Sequence, residues 1–151
     1  VLVEELLPGE EYTSAIVGSP FVSLPVARIE VDDGVYGLAN KSKERMGERV
    51  TFPALADAER EAIESWSRSL AHMLGLRDFV RFDWKRDAHG RVTFLEANPL
   101  AGLSYYYSVL PVMAREGGLP YEKLLARIAA SALARANERP LWYGRARVRA
   151  D

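Results

Sequence analysis

Residues 79–98 constrain this chain's fold more than any other stretch. Two alternating runs, Phe79–Lys85 and Val92–Asn98, flank the polar, glycine-ended stretch Asp87-Ala88-His89-Gly90. Successive side chains on a strand point to opposite faces, so alternate residues share one face. On the first run Val80, Phe82 and Trp84 share a face, and Arg81, Asp83 and Lys85 share the other. On the second, Thr93, Leu95 and Ala97 fall together, and Val92, Phe94, Glu96 and Asn98 fall together. The pattern predicts an antiparallel hairpin whose apolar face must be covered by other elements. Two registers remain open. Closing the turn with Arg86 opposite Arg91 sets Arg81 opposite Glu96, and a slip of two residues sets Asp83 opposite Glu96. In either register Arg81, Asp83, Glu96 and Asn98 lie on one face.

The rest of the chain supplies that cover. Val1–Leu7 is predicted as a strand stopped by Pro8-Gly9, Tyr12–Gly18 as a second, and Pro25–Val31 as a third. Asp33-Gly34 reads as a hairpin turn into a strand starting at Val35, and residues 37–50, rich in lysine and arginine, read as a long loop. From Pro53 to Gly75 the period changes to helical, with Asp57 as the expected N-cap, Ile63, Trp66, Leu70, Met73 and Leu74 as the core stripe, and Gly75 as the stop. A weaker helix is expected over Ser104–Glu116, interrupted or delayed by Pro111. A strong one is expected over Pro120–Asn137, with Leu124, Leu125, Ile128, Ala132 and Leu133 on one face. Strands first, then a helix, a hairpin and two helices predict an α+β fold, an antiparallel sheet packed with helices, over residues 1–137. The arginine-rich tail, 138–151, is expected to be loosely held. The chain opens on Val-Leu-Val, apolar at once and without methionine, which suggests a piece cut from a longer polypeptide.

Composition narrows the chemistry. The 151 residues carry 20 basic and 21 acidic side chains, a formal charge of −1, which argues against a broad nucleic-acid footprint. No apolar run approaches the ~18 residues of a membrane span. Cysteine is absent, and the two histidines, His72 and His89, are assigned no role. Thiolate and histidine-rich metal sites are therefore excluded, so any metal must be held mostly by oxygen. The polar hairpin face offers that: two carboxylates, an amide and a guanidinium. Neighbouring carboxylates repel unless a cation lies between them. Magnesium, which takes one or two carboxylates and keeps waters or phosphates, suits the set better than calcium. Arg81 would lie beside the metal, ready for an oxyanion or phosphate. The same face is also open to a simpler reading, a surface strand with an Arg81–Glu96 ion pair.

Arg81-Phe82-Asp83, followed thirteen residues beyond Asp83 by Glu96-Ala97-Asn98-Pro99-Leu100-Ala101-Gly102-Leu103-Ser104, resembles the C-terminal part of the ATP-grasp ligases. Among these it is most similar to the D-alanine–D-alanine ligase family, from Val3-Glu4-Glu5-Leu6-Leu7-Pro8-Gly9 through Leu119-Pro120-Tyr121-Glu122-Lys123-Leu124. The resemblance implies an ATP-grasp C-terminal subdomain and ligation of a carboxylate to an amine through an acyl phosphate, with ATP and Mg2+ (or Mn2+) as cofactors. It implies Asp83, Glu96 and Asn98 as metal ligands. Arg81 and Gly102 would serve the oxyanion, Glu4, Glu5 and Leu7 the adenine, Glu11 the ribose hydroxyls, and Lys41 the γ-phosphate. It also implies amino-acid substrates, an N-terminal part of the same ligase, a homodimer of the whole protein and a cytoplasmic setting.

The chain departs from the family at the acceptor end. Ser42 stands where tyrosine is usual, Ala39 where an acid is common, and Ala101 where proline is usual. Set against the family pattern, the Tyr105-Tyr106-Tyr107-Ser108 segment is one residue longer, which leaves Ser104, Tyr107 and Ser108 as the candidates for substrate contact. The alternatives carried are an ATP-grasp ligase with another acceptor, a non-catalytic nucleotide-binding module, and a magnesium-dependent hydrolase.

Overall fold

A computed structural model describes residues 1, 3–31 and 48–137 of the chain. The elements in order are β1 (Glu11–Val17), β2 (Val22–Val31), β3 (Glu48–Thr51), α1 (Asp57–Met73), β4 (Phe79–Arg86), β5 (Val92–Asn98), α2 (Val109–Glu116) and α3 (Tyr121–Asn137). The five strands form one sheet in the order β3-β2-β1-β4-β5, every neighbouring pair antiparallel. The α+β expectation holds, and both faces of the sheet are used. On one face α1 brings Ile63 and Ala71 against Tyr12, Ile16, Val26, Val80, Phe82 and Trp84. On the other, α2 and α3 bring Val109, Leu110, Met113, Ala114 and Leu124 against Ala15, Val17, Leu24, Ala27 and Ile29. Burying each such large apolar side chain contributes roughly 1.5–3 kcal/mol.

Several expectations change in three dimensions. Residues 3–7 form no strand, and Val3 and Leu6 are exposed. A strand needs a partner edge, and β1, which follows directly in the chain, is already paired on both sides by β2 and β4. The end of the expected loop is instead β3, paired along β2. β2 starts earlier than expected and runs through Pro25. There Pro25 and Val26 oppose the single residue Ser14, a bulge that accommodates the missing proline N–H. The Asp33-Gly34 turn, the Val35 strand, Lys41 and the 138–151 tail lie outside the described residues.

The helices are also adjusted. In α1, Ala56 is the N-cap and makes no side-chain capping bond, while Asp57 lies in the first turn and pairs with Arg60 at 3.1 Å. Its buried line is Ile63, Ser67 and Ala71, with Leu70 partly buried, whereas Met73 is exposed and Trp66 half-exposed. Small side chains at positions four apart let the helix approach the sheet closely. Ser67 Oγ donates to the Ile63 carbonyl and lies 2.7 Å from Ser14 Oγ, which accepts from Trp84 Nε1 at 2.8 Å. Gly75, with φ 64°, ends α1 as expected: its N–H bonds His72 O, and the next, that of Leu76, bonds Ala71 O. α2 begins only at Val109, so Pro111 falls in the first turn, where its missing N–H costs no helical bond. In α3, Leu124 is buried but Leu133 is exposed. The inner line continues instead through Ser131, whose hydroxyl donates to Asp78 Oδ1 at 2.9 Å.

Candidate functional site

The hairpin adopts the slipped register where it matters. Asp83 opposes Glu96 and Arg81 opposes Asn98. Towards the turn the pairing shifts, so that Trp84 opposes Phe94 and Leu95 is the extra residue. This bulge corrects the face assignment of β5. Strict alternation puts Phe94 and Glu96 together, but with Leu95 inserted Phe94 turns to the Trp84 side, ring centroids 5.5 Å apart, while Glu96 stays beside Asp83. Bulges near functional positions re-aim side chains in this way.

Asp83 is the hub. Its Oδ1 accepts from Thr13 Oγ1 at 2.9 Å and from Arg81 Nε at 3.0 Å. Its Oδ2 accepts from Arg81 Nη2 and from Asn98 Nδ2, both at 2.8 Å. Asn98 Nδ2 also donates to Glu96 Oε1 at 3.0 Å. The amide thus sits between two carboxylates that face each other across the strands, where like charges repel. Half a turn of that amide would present its carbonyl oxygen to the same space, completing a hard-cation donor set of two carboxylates and one neutral oxygen. Among the described residues no group of three or more His, Cys, Asp or Glu side chains is placed to hold a metal ion, so a metal at this face would draw on the Asn98 amide beside the two carboxylates.

β1 extends the site. Thr13 pairs with Asp83 and Glu11 with Lys85, so Thr13 and Glu11 continue the polar face begun on β4. Towards Ala15 and Val17 the same face turns apolar and passes under α2. Thr13 is buried and also donates to Phe82 O at 3.2 Å. Lys85 Nζ donates to Glu11 Oε2 at 3.1 Å. The sequence reading missed the parts played by Thr13 and Lys85. The alternation Glu11-Thr13 on β1, set against Asp83-Lys85 on β4, was the available signal.

The remaining candidates are more dispersed. Glu4 and Glu5 are exposed and Leu7 is partly buried, in a segment outside the sheet. Gly102 lies in the loop after β5, where an added Cβ would come 2.6 Å from Ser108 Oγ. Ser108 is buried and accepts from the Ser104 N–H at 3.0 Å, which ties the loop to the start of α2. Tyr107 is exposed, and Tyr105 packs edge-on against Tyr106 and Tyr121. His72 and His89 are exposed.

Behind the site a second polar network locks β1, β2, β4 and α1 together. The Tyr12 hydroxyl and Arg28 donate to Glu10 at 2.6 and 2.8 Å and hold its carboxyl below the usual range, the Tyr12 bond contributing most. Burial, then the bond to Glu10, raises the Tyr12 phenol. Arg86 reaches Tyr12 and Glu59, which favour its charged form. Among the described residues Arg28 Nε is a buried side-chain nitrogen without a hydrogen bond.

The fold and the site together define an antiparallel sheet whose polar face carries the bidentate Arg81–Asp83 pair beside Glu96 and Asn98. Residues 1–130 match the family described as D-ala D-ala ligase C-terminus, and the chain belongs to that family. It is 34% identical over 142 residues to a D-alanine–D-alanine ligase of Alkalilimnicola ehrlichii, covering 93% of this chain and 44% of that protein. It is 32% identical over 129 residues to the ligase of Aquifex aeolicus, covering 85% of this chain and 42% of that protein. The chain therefore spans under half the length of these curated relatives. The same fold occurs in a crystal structure of D-alanine–D-alanine ligase from Bacillus anthracis complexed with ATP (TM-score 0.71, 23% identity, 91% of this chain, 41% of the other). It also occurs in the ligase from Coxiella burnetii (TM-score 0.73, 20% identity, 89% and 35%). The sequence resemblance and the expected ATP-grasp architecture hold.

Proposed function

We propose that this chain is the ATP- and magnesium-binding part of a carboxylate–amine ligase that joins two D-alanine molecules. The carrying observation is the Asp83–Glu96 pair opposed across two strands, with Asn98 between them and Arg81 bidentate on Asp83. A triphosphate and two carboxylates repel unless positive charge intervenes, and these donors fit magnesium. When bound, the metal neutralises phosphate charge.

The protein's own residues position and stabilise. Thr13 and Arg81 fix the orientation of Asp83. The Arg81 guanidinium, held at the edge of the donor set, favours the negative oxygen that develops at the acyl carbon. Glu11 accepts from the ribose hydroxyls, Glu4, Glu5 and Leu7 border the adenine, Lys41 follows the γ-phosphate, and the Gly102 N–H adds to the oxyanion contacts. In this reading a substrate carboxylate attacks the γ-phosphorus and ADP leaves. The second amine then attacks the acyl carbon, gives up its proton, and phosphate departs. The rate comes from alignment and charge neutralisation rather than from covalent work by the protein. Further polypeptide supplies the rest of the nucleotide clamp, and use of ATP suits a cytoplasmic setting.

A second reading keeps the chemistry but changes the acceptor. It is favoured by three exposed tyrosines, Tyr105, Tyr106 and Tyr107, and by the commitment of the Ser108 hydroxyl to the Ser104 N–H. The test is ATP-dependent phosphate release by the intact protein, with and without magnesium, across D- and L-amino acids. Release that peaks with D-alanine and needs magnesium supports the first reading, and a different best amino acid supports the second. Absence of turnover with every acceptor, despite ATP binding, would favour a non-catalytic module.

A further inference from the structure

On the polar face one cation is paired but has been given no role toward a ligand. Lys85 follows Asp83 by two residues on β4, about 6.8 Å along the strand, and opposes Glu11 on β1. Its ammonium donates to Glu11 Oε2 at 3.1 Å, and the two side chains are only 17% and 18% exposed. Lysine and glutamate are seldom this covered on a sheet unless paired. Among the described residues Lys85 is the hydrogen-bond partner that Glu11 has, so Oε1 is left for something else.

The layout along the face is ordered. Arg81, Asp83 and Lys85 alternate in sign on β4, with Thr13 beside Asp83 and Glu11 beside Lys85 on β1. The oxygen donors for a cation lie at one end and a paired carboxylate at the other. A nucleotide whose phosphates meet the first end brings its sugar towards the second. Glutamate has several rotatable bonds, and a carboxylate that must accept from a sugar hydroxyl gains by being held in place beforehand. Lys85 does this by occupying one oxygen. It also offsets the third carboxylate on a face that already holds Asp83 and Glu96.

We propose that Lys85 is a positioning residue for the ribose: it pins Glu11 so that the remaining carboxylate oxygen meets a sugar hydroxyl. This rests on the reading of the face as a nucleotide site. The intact ligase is assayed with ATP, 2′-deoxy-ATP and 3′-deoxy-ATP, and KM and kcat are separated. A hydrogen bond from hydroxyl to carboxylate predicts that the wild type prefers ATP over at least one deoxy analogue by roughly tenfold in KM. In Lys85→Met that preference shrinks to within about threefold, kcat changes less than KM, and Lys85→Arg restores most of the preference. In Glu11→Gln the preference is already lost, and adding Lys85→Met changes it no further. If Lys85→Met does not fold, judged by thermal denaturation, Lys85→Gln carries the same comparison. An unchanged ribose preference in the charge-free variants, or no preference in the wild type, overturns the role of Lys85 while leaving the ATP reading intact. No use of ATP by the wild type takes both down.

Discussion

The opposed carboxylates make Glu96→Gln an informative perturbation, because stability and ligand response should move apart. In the metal-free protein Glu96 lies directly across from Asp83, and its bond within the site is from Asn98 Nδ2 at 3.0 Å. A glutamine keeps an oxygen for that bond and removes one of two like charges. Directly opposed like charges on a sheet cost about 0.2–1 kcal/mol. The Asn98 amide already bridges the pair, so relief of about 0.5 kcal/mol is expected. For a chain of this size that raises Tm by about 1–2 °C. Magnesium and ATP act in the opposite sense. A ligand at a hundredfold its Kd stabilises the wild type by about 2.7 kcal/mol, and Glu96→Gln loses one of two anionic donors and most of that gain. The assay is thermal denaturation of the intact protein, first with a chelator and then with excess magnesium and ATP. A variant that melts several degrees lower in chelator, yet keeps the full ligand shift, would refute both the repulsion argument and the role of Glu96 as a donor.

Other outcomes test the scaffold. Ser67→Ala removes the hydroxyl between Ser14 and the Ile63 carbonyl, and chemical denaturation should show a loss of about 1 kcal/mol. Gly9→Ala places a Cβ 2.4 Å from Arg86 Cβ and 2.8 Å from Arg86 O; forcing that strand apart should cost about 1–3 kcal/mol, read from the same denaturation midpoint. The Arg135 hydrogen bond, ahead of that from Ser131, holds the Asp78 carboxyl below its ordinary value of 3.8. The folded state then binds that proton less readily than the unfolded chain. The Asp78 contribution is present above pH 3.8 and fades as pH falls below it towards the lowered folded-state value. Stability of Asp78→Asn against pH should therefore fall less steeply on the acid side than that of the wild type, and parallel curves would count against a stabilising Asp78–Arg135 pair.

What the sequence determined alone was periodic or punctuated. The alternation of Val80, Phe82 and Trp84 against Arg81 and Asp83 specified the hairpin and its buried face. Gly75 ended α1, and Pro111 delayed α2. These signals are local, because side-chain direction follows from backbone geometry within a few residues. The grouping of Arg81, Asp83, Glu96 and Asn98 on one face was legible for the same reason. Tertiary structure decided what depends on a neighbour. The segment before Pro8 found no free strand edge beside β1, and residues 48–51 found one beside β2. Ser67 and Ala71 are buried against the sheet because close helix approach favours small side chains, while Trp66 packs half-exposed against Trp84 and Met73 is exposed. The Leu95 bulge sends Phe94 and Glu96 to opposite sides, a choice strict alternation does not contain. Thr13 and Lys85 joined the site only when β1 was laid beside β4, about seventy residues apart in the chain, since strand pairing at that range is a property of the assembled sheet.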